Sequence, residues 1–317
     1  TIVTAGLAEH LFGTGWTMFV WSVFILAACI VLLLAGRYPG LDRSMKIIIS
    51  LLTICTLLAV LMALSKNNPV DVLRADTPSY WNLAGIAFII AFMGWMPIPL
   101  DAAVWHSIWT REKSKQTGAL STLRGVNIDF NVGYIAAAFV GFLFFLLGAL
   151  VMFGHSEEFS ASSVLFSAQL IEMYGQTLGS WSVPLISIAA FITMFSTTLA
   201  VTDAYPRVMS ELWKESGIKD SISSHGIYRI SLILIPSVAL LLLFYLTVSF
   251  TTLVDFAAGL SFLAAPVLAF FNFKLITGKG ISEEAKPGIP ARIFSWACLL
   301  FLTLFALTYL YWQIWLR

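Results

Sequence analysis

Residues 84–110 read AGIAFIIAFMGWMPIPLDAAVWHSIWT, and the middle of this stretch decides how the chain is built. It is longer than the roughly 20 apolar residues that carry one straight helix across a bilayer. Gly94, Pro97 and Pro99 stand at its centre. Each proline removes an amide donor and clashes with the preceding turn, and glycine lowers the cost of leaving helical angles. The pattern predicts a helix opened in its middle, with carbonyls around residues 92–97 lacking intrahelical partners. Backbone of that kind persists in a membrane only where it lines a cavity or is buried in protein, and half-helices with free carbonyls near the midplane are a way of holding cations. Asp101 follows within the same span, where a carboxylate costs about 2.5–3.5 kcal/mol to insert. It reads as a cation ligand or proton acceptor, against the plainer role of a carboxyl bonded to a neighbouring helix. Met96 offers a thioether, a soft ligand suited to transition metals, or else core filling. His106 is five residues beyond Asp101, off its helical face; it can relay protons or serve as a hydrogen-bonded packing histidine.

The rest of the chain agrees with a membrane setting. Of its 317 residues, 59% are hydrophobic and only 11% are charged, against about 25% charged in soluble domains. Eight stretches are long and apolar enough to cross: 16–35, 45–64, 81–109, 132–153, 181–202, 227–248, 253–276 and 293–311. Residues 2–12 read as the tail of a further helix, and 161–174 as a short interfacial one. The runs do not alternate, which excludes a β-barrel reading. Fifteen of the 18 Lys and Arg residues fall in loops on one side of this map; Lys66, Arg74 and Arg317 fall on the other. That asymmetry marks the basic side as cytoplasmic and predicts a C-terminus outside. A net charge of +1 gives no ground for binding nucleic acid. Cys29, Cys55 and Cys298 sit singly in apolar runs and read as small buried hydrophobes.

Taken together, Met96-Pro97-Ile98 and the downstream His106-Ser107 pair resemble the broken sixth helix of the Nramp (natural resistance-associated macrophage protein) family of divalent metal transporters. Gly6-Leu7-Ala8-Glu9 resembles part of that family's third helix, whose glutamate is linked to proton movement. Asn127-Ile128-Asp129 resembles the start of the seventh, Ser196-Thr197-Thr198 with Thr202 the eighth, and residues 253–269 with Gly259 and Pro266 the tenth. The resemblance implies an all-α, inverted-repeat, LeuT-like fold forming a single transmembrane domain over 1–317. It also implies that the family's first two helices, with the Asp-Pro-Gly-Asn run of the first, are missing from 1–317. Three departures stand out. Ile98 replaces the family's histidine, the step to His106-Ser107 is longer, and Ala257-Ala258 stand where a glutamine is frequent. Anchoring on His106 instead sets Asp101 over the first histidine.

The expected function is secondary transport of a divalent ion, Mn²⁺ or Fe²⁺ first, linked to protons and located in the cell membrane. The ion is cargo, so no resident cofactor is implied. The candidate residues are Gly94, Met96, Pro97 and Asp101 for the metal and Glu9, Asp101 and His106 for the proton. The alternative keeps the fold and changes the cargo to Mg²⁺ or an amino acid. Asp101 and Asp255 as a carboxylate pair would be the enzymatic reading, but no zinc motif or nucleophile elbow accompanies them.

Overall fold

The computed structural model describes residues 1–35, 38–66, 81–96, 98–119, 122–152, 160, 162–216, 223–245 and 250–315. Among them are eleven α-helices, one 3₁₀ turn at Glu283–Ala285 and no strand. In chain order the helices are α1 (Ile2–Phe12), α2 (Met18–Ala35), α3 (Tyr38–Lys66), α4 (Leu83–Trp95), α5 (Ala102–Thr117) and α6 (Leu123–Val151). After these come α7 (Ser163–Leu178), α8 (Ser182–Glu215), α9 (Ser224–Tyr245), α10 (Phe250–Ile276) and α11 (Ile289–Trp315).

Six of these, within α2, α6, α8, α9, α10 and α11, are long and apolar enough to cross a membrane. The other two expected spans fall within α3 and across α4 and α5. In α3 the apolar described stretch is Ile49–Ser65, and the span 81–109 is divided between α4 and α5. Large apolar side chains remain uncovered along these helices: Phe88, Ile135, Phe145 and Phe294 are each more than 60% exposed. In water such a surface would drive aggregation, whereas lipid tails solvate it. Cys298 belongs to that surface and is exposed, contrary to the sequence expectation, while Cys29 and Cys55 are buried.

The chain forms two compact units, 1–76 with 142–252 and 77–141 with 253–317. In the first, α1 packs on α7 and α8. Gly6 makes this possible, because a Cβ there would lie 2.5 Å from the Ser163 carbonyl oxygen. Leu7, Ala59, Leu147, Ile171, Tyr174 and Ile186 form its core. Buried hydroxyls add directional ties, Thr4 to Thr198 and Thr56 to Tyr174, each at 2.8 Å. The α7 segment buries Ser163, Ser167, Ile171 and Tyr174. In the second unit, Ile90 of α4, Phe262 of α10 and Ala306 of α11 form the core that carries the interrupted segment.

Candidate functional site

The interruption lies where the sequence places it. Helix α4 ends at Trp95, and Met96 is extended at φ −106° and ψ 132°, the conformation a residue before proline prefers. The Met96 amide still donates to the Phe92 carbonyl at 3.0 Å, so the freed carbonyls begin later than expected. The donors that Met93 and Trp95 would use belong to positions 97 and 99, both proline, and Ile98 lies in neither helix. Pro97 itself is outside the described residues. The chain then turns through Leu100 and Asp101, where Pro99, Leu100 and Asp101 carbonyls accept from Ala102, Ala103 and Val104 at 3.0, 3.2 and 2.9 Å. The C-terminal end of α4, with its partial negative charge, opens onto this gap and favours a cation there.

Gly94 does a different job from the one its sequence position predicts. It remains helical, and a Cβ on it would collide with the Ala258 carbonyl oxygen and lie 3.3 Å from the Phe262 amide nitrogen. Its missing side chain lets α4 lie against the α10 backbone. Met96 is half-buried with its thioether set against Gly141 of α6. Asp101 occupies the N-cap position of α5 without capping the helix through its side chain, and its Oδ1 atom is buried.

His106, about one turn into α5, lies 3.3 Å through Nε2 from Asp129 Oδ2 on α6 and edge-on to Phe130. Asp129 is 80% exposed, so water screens this contact strongly. The sequence marks Asp129 only as part of a helix start; the available signal is an acid within the first two turns of α6, after a basic loop. Asp255 is exposed on α10. Among the described residues no three His, Cys, Asp or Glu side chains converge as a metal cluster. Among the described residues from 96 to 101, the Met96 thioether and the Asp101 carboxylate are the side-chain groups with the chemistry to ligate a metal.

Glu9 belongs to the other unit, at the end of α1. Its carboxylate accepts from Trp21 Nε1 at 2.7 Å, the Thr14 hydroxyl at 2.8 Å and the Gly15 amide at 2.7 Å. These bonds tie the α1–α2 connection, which Gly13 opens in a left-handed conformation at φ 58°. A second carboxylate of this unit escaped sequence reasoning. Asp203 of α8 is only 5% exposed and accepts from Arg207 Nε at 2.6 Å and the Tyr228 hydroxyl of α9 at 2.7 Å. The Arg207 guanidinium lies 5.3 Å from the Tyr228 ring centroid. The four-residue step from Asp203 to Arg207 was the legible part of that cluster.

The family profile described as Natural resistance-associated macrophage protein-like matches residues 2–312. A protein of Pasteurella multocida, described as uncharacterized, is 37% identical over 258 residues. That alignment covers 80% of this chain and 59% of the relative, so the chain spans well under two thirds of the relative's length.

Proposed function

The chain belongs to the Nramp family, and from that premise we propose that it forms part of a proton-coupled secondary transporter of divalent metal ions. Mn²⁺ and Fe²⁺ are the first candidates as cargo. The observation that carries this reading is the break from Met96 to Asp101, which sets a thioether and a partly buried carboxylate beside the end of α4, whose Met93 and Trp95 carbonyls have proline at the positions of their helical donors. Main-chain oxygens replace part of an ion's hydration shell, the sulfur favours transition metals over Mg²⁺, and the carboxylate supplies charge. Gly94 supports the site by packing, and Pro97 by withholding its amide donor. Asp101 and His106 are the proton groups of this unit, and Glu9 is the proton group of the other. The basic loops orient the protein in the cell membrane with its C-terminus outside.

The reading favours transport over catalysis, because the freed groups are ligands rather than a nucleophile with its base. The test is Mn²⁺ uptake into proteoliposomes holding the full-length protein, with a pH gradient imposed. Asp101→Ala should lower uptake about ten-fold or more, as losing one ligand from a small site does. Uptake and pH response both unchanged in that variant would remove Asp101 from the mechanism. Competition by Mg²⁺ or an amino acid, and none by Fe²⁺, would overturn the choice of cargo.

A further inference from the structure

The geometry points to Gly141 as a positioning residue that sets where the Met96 sulfur stands, and so sets the preference for soft over hard metal ions. This rests on the proposal that Met96 is a ligand. Gly141 lies on α6, the helix that follows the broken pair, and no motif singles it out. A Cβ built on it would collide with Met96 Cε and lie 3.1 Å from Sδ. The thioether thus rests in the notch left by the absent side chain. Gly133 of the same helix has nothing within 4 Å of its Cβ position, so a small residue on α6 is not by itself a seat.

The consequence is specific to the sulfur. Methionine is unbranched, and its far end can swing away from a new methyl group without moving either backbone. At Gly94 the colliding atoms are the Ala258 main chain, which cannot yield in that way. Gly141→Ala should therefore keep the fold and displace only the thioether. Carbonyl and carboxylate donors at the break stay in place, so a hard ion loses little while a thiophilic ion loses its preferred partner.

The experiment measures initial uptake of Cd²⁺ and Mn²⁺ as functions of concentration in proteoliposomes of the full-length protein. The variants are Gly141→Ala, Met96→Ala, the double variant and Gly133→Ala. Gly141→Ala should raise KM for Cd²⁺ about ten-fold relative to Mn²⁺, with maximal rates little changed, since a displacement near 1 Å has effects of that order. In the Met96→Ala background the same substitution should leave the Cd²⁺/Mn²⁺ ratio where Met96→Ala alone put it, and Gly133→Ala should match wild type. An unchanged ratio in Gly141→Ala overturns the assignment, as does an equal shift with and without Met96. If Met96→Ala itself leaves the ratio unchanged, it is the ligand role of Met96 that fails. Should Gly141→Ala misfold alone, the double variant, free of the clash, must fold, and its failure would also count against the notch.

Discussion

Helices α8, α9 and α10 each carry one proline in their interior, Pro206, Pro236 and Pro266, and each runs through it. The stretch from α4 to α5 contains two, at positions 97 and 99, and is broken from Met96 to Asp101. A single proline removes one hydrogen bond and bends the helix, a cost of about 3 kcal/mol that neighbouring helices absorb. Two prolines one residue apart also restrict the residues before them, Met96 and Ile98, away from helical angles. With consecutive residues withdrawn from the helix, no local adjustment restores the ladder. Spacing, more than proline content, separates a bend from an opening.

The largest effect is expected from returning the missing donors. Pro97→Ala with Pro99→Ala should let the helix close and lower Mn²⁺ uptake about ten-fold or more, while Pro266→Ala changes it less than about two-fold. Equal effects at both places would mean that the break is not what the ion uses. Next in size, Gly94→Ala should lower stability by about 1–3 kcal/mol through overpacking against α10, read as a fall in Tm in detergent, with Gly133→Ala neutral. Tyr228→Phe removes one donor from Asp203 and should cost about 1 kcal/mol by the same measurement. Smallest of all, Asp129→Asn should change Tm scarcely at all, since an exposed pair contributes under about 1 kcal/mol. A larger drop would mean that the His106 contact is more sheltered than its geometry implies.

Spans, connections and the opened helix were legible from the sequence because the bilayer leaves few alternatives for a long apolar run, and because proline chemistry is local. Which face of a helix meets protein was not legible. In these helices both faces are apolar, so nothing in residue type separates buried Cys55 from exposed Cys298. The same blindness hid the notch at Gly141 and mistook Gly94 for a flexible joint, since close approach is a property of the partner helix. The apolar span read from the sequence stops near residue 202, and the helix runs on beyond it to Glu215. Asp203, Arg207 and Tyr228 look like a boundary in one dimension and form an interior network in three.

The continuation of α8 has a consequence for topology. Its 34 residues make a rod about 51 Å long at 1.5 Å per residue, against a hydrocarbon layer of about 30 Å. The rod is longer than one crossing of that layer requires, and its last turns carry Lys214 exposed. That amine is a natural tag: a membrane-impermeant acylating reagent, offered to one face of sealed vesicles at a time, should modify it from the cytoplasmic face only, and modification from the opposite face would invert the whole map.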